Sequence, residues 1–210
     1  MLRVFCIHRD RVLELVLVRH GLPERQEVDD GKADPPLSAV GRQQAEAVAQ
    51  WLQGEVIDAV YASTMNRARE TAQPFAVAQG LEIAEREGIV EYDRHAASYV
   101  PMEELRREDP EAWRAFVSGG YNDHIDIHQF HATVVNTLEQ IVADHGGQRV
   151  AVFCHGGVIN VWTAHVLGLT PSLFFEPKYT SIHRYLCARS GERNLVCLNE
   201  AAHLKGTGLL

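Results

Sequence analysis

The stretch Val12-Leu13-Glu14-Leu15-Val16-Leu17-Val18-Arg19-His20-Gly21 decides the fold. Its apolar part is rich in β-branched residues, interrupted only by Glu14, and too short for a core helix, so it reads as a buried strand. The strand runs straight into Arg-His-Gly. Far downstream the arrangement recurs, where Val150-Ala151-Val152-Phe153-Cys154 leads into His155-Gly156-Gly157. If both strands lie in one parallel sheet, the two histidines meet at its C-terminal edge, where open α/β folds bind ligands. A glycine after each histidine lets the backbone turn sharply and approach closely. The arginine beside His20 suggests an anion between the histidines, with phosphate the first choice.

Around these strands the chain alternates between strand and helix. A polar loop, Leu22 to Pro36, leads to a helix capped by Ser38, with Val40, Ala45, Val48 and Leu52 at helical spacing. Ile57 to Tyr61 reads as a second strand, Asn66 to Gln79 as a helix, and Leu81 to Ala84 as a weak third strand. Short helices are expected at Met102–Glu108 and Pro110–Val117, and a longer one from Asp123 to His145. After the strand at 149–154 come a helix from Val158 to Leu167 and two strands, Ile182–Arg189 and Leu195–Leu198. The expected fold is therefore α/β: a three-layer sandwich with a mostly parallel central sheet and helices on both faces. At 210 residues one domain over 1–210 is the simplest organisation, with residues 1–11 as an N-terminal extension. The stretch 88–123 is too long for a plain connection and reads as a lid over the site.

Composition narrows the function. Hydrophobic content of 46%, charge of 23% and a net charge of −8 describe an ordinary soluble protein. An acidic chain argues against nucleic-acid and membrane-surface partners but not against a small phosphorylated ligand in a local basic pocket. No apolar run is long enough to span a bilayer, and the N-terminus lacks a signal peptide's core. Cys6, Cys154, Cys187 and Cys197 show no metal-ligand spacing and read as reduced thiols, rather than as a Cys187–Cys197 disulfide, in a cytoplasmic protein. His124, His128 and His131 fall on one helical face, but no carboxylate or cysteine clearly completes a metal site; a lid-facing edge is the preferred reading. Arg67 follows the second strand in the first turn of a helix, so its guanidinium can project toward the same edge as His20.

These blocks together resemble the histidine phosphatase superfamily, with its phosphoglycerate-mutase-like fold. They are Arg19-His20-Gly21, Leu37-Ser38-x-x-Gly41-x-x-Gln44-Ala45, Ser63-x-x-x-Arg67-Ala68-x-x-Thr71-Ala72 and His155-Gly156-Gly157, in that order across residues 12 to 200. The resemblance implies that His20 becomes a phosphohistidine. Arg19, Arg67, His155 and Gly156 would then bind phosphate, with Gln26 and Glu24 as further candidates. It implies a carboxylate proton donor after the third strand, best matched by Glu91, with Glu87 and Asp93 as rivals. Such a donor needs a raised pKa, and a protonated His155 would help cancel phosphoryl charge. No metal and no organic cofactor are implied. The partners would be a small phosphorylated substrate and the phosphate product, with a homodimer left open.

The chain departs from the family's mutases in two places. Leu22-Pro23-Glu24-Arg25-Gln26 stands where they carry Glu-Ser-x-Trp-Asn, and Tyr92-Asp93-Arg94-His95-Ala96 where they carry Arg-x-Tyr-Gly. Both changes favour hydrolysis of a phosphomonoester over transfer to a second substrate hydroxyl. A mutase-type phosphotransferase is the alternative, followed by a phosphoprotein phosphatase or a non-catalytic phospho-ligand binder.

Overall fold

The computed structural model describes residues 12–117 and 126–209. Its centre is a six-stranded sheet in the order β4-β3-β6-β1-β7-β8. The strands are β1 (Val12–Arg19), β3 (Ala59–Ser63), β4 (Ile83–Arg86), β6 (Arg149–Cys154), β7 (Ile182–Ala188) and β8 (Arg193–Glu200). β4, β3, β6 and β1 run parallel, and the β7–β8 hairpin closes one side antiparallel.

Side-chain alternation along the two central strands builds two cores. Leu13, Leu15, Leu17, Val150 and Val152 point to one face, against Leu138 and Ile141 of α5 (Ile127–Asp144) and Trp162 of α6 (Gly156–Leu167). Val16, Val18, Ala151 and Phe153 point to the other, against Val48 and Leu52 of α1 (Ala39–Leu52) and Phe75 of α2 (Asn66–Gln79). Both faces of β1 and β6 are covered, which is why their sequences read as continuous apolar runs. This is the expected three-layer α/β sandwich. Among the described residues no helix is long and apolar enough to cross a membrane.

Several boundaries moved. β3 starts and ends later than Ile57–Tyr61 because β6 pairs it from Ala59 to Ala62, while the Asp58 carboxylate accepts from the Arg149 amide and ends the ladder. β4 follows β3, so it too lies further on than Leu81–Ala84. α6 opens at Gly156 rather than Val158, which places both glycines in its first turn. α5 begins at Ile127, capped by Asp126, whose carboxylate accepts from the Gln129 amide. The short helices α3 (Met102–Glu108) and α4 (Pro110–Val117) stand where they were expected. The pairing of β2 (Gln26–Glu27) with β5 (Ser98–Tyr99) was not foreseen; it ties the loop after His20 to the 88–123 stretch. Cys187 and Cys197 are free thiols, opposite Arg193 and Arg184 across the hairpin rather than each other. The N-terminal extension, Cys6 and His124 lie outside the described residues.

Candidate active site

The register of β1 against β6 places the two histidines. Val18 pairs with Phe153 and Arg19 with Cys154, so His20 and His155 leave adjacent strands at the same level. The His20 amide still donates to the Cys154 carbonyl at 2.9 Å. The two rings stand 5.2 Å apart between centroids. Close backbone packing supports this corner. A Cβ on Gly21 would meet the Gly41 carbonyl oxygen at 2.7 Å, and one on Gly41 would meet the Leu22 oxygen at 2.0 Å, so neither position accepts a side chain. The Gly21 amide donates to Thr71 Oγ1 at 2.9 Å, and that hydroxyl donates to the Arg67 carbonyl, linking the His20 corner to α2.

Each histidine has one committed nitrogen. His20 Nδ1 lies 2.7 Å from the Gly21 carbonyl oxygen, which can only accept. The proton therefore sits on Nδ1, and Nε2 keeps its lone pair. Burial, then the charges of Arg67 and Arg19, hold the His20 pKa well below the ordinary imidazole value, so the ring is neutral near pH 7. His155 Nε2 lies 2.7 Å from Ser63 Oγ, which also accepts from the Met65 amide at 3.3 Å. With Oγ already accepting once, Ser63 can give its own proton to Nε2, an arrangement that puts the N–H of His155 on Nδ1. Burial, Arg67, His20 and Arg19 push the His155 pKa well down. The buried arginines thus oppose the protonated His155 that was expected, and a neutral ring can contribute an N–H donor.

The two arginines are buried. Arg19 lies over the Tyr179 ring at 4.1 Å, and its Nη1 donates to the Pro177 carbonyl. Arg67, in the first turn of α2, pairs with Asp93 at 3.1 Å and lies over the Tyr99 ring at 4.8 Å. Among the described residues, four of the buried nitrogens without a protein partner belong to these side chains: Arg19 Nε, Arg67 Nε, Arg67 Nη1 and His155 Nδ1. Leaving buried donors unpaired costs roughly 1–3 kcal/mol each, more when charged. Their concentration beside His20 marks a place built for an anion's oxygens.

Glu91 stands apart from its rivals. It is 7% exposed; Oε2 accepts from the Gly157 amide at 2.9 Å and Oε1 from the Tyr92 amide at 3.2 Å. Burial, reinforced by the charge of Asp93, raises its pKa to about 7. Glu87 is largely exposed, accepting from Thr64 and pairing with Arg94, and Asp93 is held by Arg67. Gly156 lies between Arg19 and Glu91: an added Cβ would stand 3.8 Å from Arg19 Nε and 4.0 Å from Glu91 Oε2. The Gly157 amide is committed to Glu91 and so is not a free phosphate donor.

The other candidates sit further out. The Gln26 side-chain oxygen accepts from the Asp34 amide, and Gln26 pairs through β2 with Tyr99. Glu24 is exposed and held by its backbone to Pro36. His131 stacks near His165 at 5.9 Å, and among the described residues no group of three or more His, Cys, Asp or Glu side chains is assembled as a metal site.

Sequence reasoning missed several contributors, among them Ser63, Tyr99, Tyr179, Thr180 and Asn160. Thr180 has φ 54°, an unusual conformation for a buried β-branched residue, and its amide donates to the His20 carbonyl at 3.3 Å. Only Ser63 lay in a recognisable block, and nothing local revealed its partner.

Comparison with known proteins agrees with this geometry. Residues 15–201 match the family model of the histidine phosphatase superfamily, branch 1. The chain is 30% identical over 205 residues to phosphoserine phosphatase 1 of Hydrogenobacter thermophilus, covering 92% of this chain and 95% of that one. It is 35% identical over 161 residues to a metal-independent phosphoserine phosphatase of Arabidopsis thaliana, covering 70% and 66%. Among solved structures, a mycobacterial glucosyl-3-phosphoglycerate phosphatase shares the fold with a TM-score of 0.74 at 20% identity, covering 91% of this chain and all of that one. Family match, sheet topology and the paired histidine corners agree: the chain belongs to branch 1 of the histidine phosphatase superfamily.

Proposed function

We infer that this chain is a metal-independent phosphomonoesterase that works through a phosphohistidine on His20. The observation that carries the reading is the set of four unpartnered buried nitrogens, from Arg19, Arg67 and His155, around a neutral histidine whose Nε2 is free. The arginines supply the positive charge that phosphoryl transfer needs, so a divalent ion is not required to neutralise the transferring group.

The His20 Nε2 lone pair attacks phosphorus, and the P–O ester bond breaks. The departing oxygen takes its electron pair and the proton held by Glu91. A group with a pKa near the working pH suits this task. Water then attacks the phosphohistidine, giving its proton to the Glu91 carboxylate. The P–N bond breaks and the pair returns to Nε2. Ester and water become alcohol and phosphate.

The substrate is a small phosphorylated metabolite. Support comes from the relatives, two of which bear the name phosphoserine phosphatase, and from the enclosure of the site by residues of the 88–123 stretch such as Tyr92, Tyr99 and Met102. We place the protein in the cytoplasm, as its free thiols at Cys154, Cys187 and Cys197 favour a reducing compartment. The test is hydrolysis of phenyl phosphate in excess chelator. Full turnover is expected; loss of turnover restored only by a divalent metal would overturn the reading.

A further inference from the structure

A cavity of about 290 Å³ opens beside the proposed phosphate pocket and reaches Arg19, Glu91 and Gly156. The ester oxygen must sit against Glu91 to receive its proton, and of the two cavities that Glu91 lines this is the one that also reaches Arg19 and Gly156, so the rest of the leaving group enters it. Its wall beyond the phosphate end is made by Met102, Leu173, Phe174, Phe175 and Pro177. Of its charged residues, Arg19 faces the phosphate, Glu91 is the proton donor, and Glu176 is a further acid.

Of the other polar groups on the wall, Tyr92 brings a phenol, while Asn160 and the Gly157 amide are already occupied. Asn160 lines the cavity, yet its amide is saturated internally. Nδ2 donates to the carbonyls of Gly156 and Phe175, both at 2.9 Å, while Oδ1 accepts from the amides of Phe174 at 2.9 Å and Phe175 at 3.1 Å. The Gly157 amide is held by Glu91. Arg106 and Lys178 line a neighbouring cavity, which shares Arg19, Met102 and Glu176 with the first but does not include Glu91. Among the described residues that line the cavity, a carboxylate beside the ester oxygen would therefore meet apolar wall and Glu176, with no cation besides the Arg19 that faces the phosphate.

We propose that the leaving group of this enzyme is an apolar alcohol without a carboxylate, and that the cavity wall selects against phosphorylated hydroxy and amino acids. The proposal rests on the phosphatase reading above and separates this chain from the relatives named for phosphoserine.

The test compares kcat/KM for n-butyl phosphate, O-phosphoserine and phenyl phosphate on the full chain. Butyl phosphate and phosphoserine both expel a primary alkoxide, so their ratio reports the wall. Butyl phosphate is expected to win by about tenfold or more, the scale on which a pocket rejects a poorly matched group. Phosphoserine turned over equally well or better would overturn the proposal while leaving the phosphatase reading intact. No turnover of any ester, phenyl phosphate included, would overturn both.

Phe174 is 43% exposed, so the F174R variant places a cation at the wall with little threat to folding. The butyl-to-phosphoserine ratio should fall at least about fivefold, chiefly through a lower KM for phosphoserine. An unchanged ratio in a folded variant that still hydrolyses phenyl phosphate would show that wall charge does not set the preference.

Discussion

Glu91 and Gly157 fit each other with no room to spare. The Gly157 amide holds Glu91 Oε2 at 2.9 Å, and a Cβ on Gly157 would stand 2.2 Å from Oε1 and 2.7 Å from the Tyr92 ring. The carboxylate is fixed against the first turn of the helix that His155 begins, so the proposed donor and the proposed phosphate pocket move as one body.

Gly157→Ala should therefore displace Glu91 without touching His20 or the arginines. Butyl phosphate hydrolysis should fall about a hundredfold or more, the low end of what a general acid supplies. Phenyl phosphate, whose oxide leaves with less help, should fall much less. Equal losses on both esters would mean that the glycine serves the whole site rather than the donor.

Glu91→Gln tests the donor directly and adds a pH signature. With a pKa raised to about 7, the wild-type acid is increasingly deprotonated above that pH. Its phosphorylation rate on butyl phosphate should fall about tenfold per pH unit there, whereas the phenyl phosphate rate should stay nearly flat. Correcting each ester for its own second phosphate ionisation isolates the enzyme group. In Glu91→Gln this difference in pH dependence should vanish in pre-steady-state bursts. If it persists, the assignment moves to Glu87 or Asp93.

His20→Ala should lower turnover by at least about a thousandfold, because it removes the proposed nucleophile. Rapid acid and base quench of wild type with labelled substrate should reveal a phosphoenzyme that is labile in acid and stable in base. An acid-stable adduct would assign the nucleophile to a hydroxyl. Since the His20 pKa is held well below the ordinary value, its protonation should not limit the rate between pH 7 and about 6.

Ser63→Ala removes the hydroxyl that pairs with His155 Nε2 and, as its donor, would fix the tautomer of the ring. With Nε2 no longer required to accept, Nδ1 is free to lose its hydrogen and the phosphate contact with it. A loss of about 10–100-fold in kcat is expected, as for other partners that orient an active-site histidine. Ser63→Thr, which keeps the hydroxyl, should recover most of it. NMR of the His155 ring nitrogens would report the tautomer change independently of activity.

The central machinery was legible because it is local. Two apolar runs ending in His-Gly predict neighbouring strands, and the sheet delivers their histidines to one level. Arg67 was readable from its place in the first turn of a helix. The choice among Glu87, Glu91 and Asp93 was not settled by the residues alone, since three carboxylates in one short stretch differ only in burial and partners. Ser63, Thr180 and Asn160 were hidden for a similar reason. Their hydrogen bonds reach His155, His20 and the 174–175 backbone across the fold, and no periodicity records such contacts. The β2–β5 ribbon was invisible because so short a pairing leaves no alternating pattern. The expected charge on His155 is opposed by the field of the two buried arginines, which no local pattern in the sequence records.

The Asn160 amide has a consequence for how this enzyme can change. The histidines stand on central strands, while the cavity wall comes from Met102 and the 173–177 loop, which Asn160 rivets to α6 through Gly156 and the backbone of Phe174 and Phe175. Side chains at 173–175 can then be exchanged while the rivet keeps the loop's path, and Pro177 keeps its hold on Arg19. If the wall sets the choice of ester as proposed, chemistry and choice are separately heritable, and a lineage can retune its diet by small substitutions without rebuilding the proposed catalytic corner.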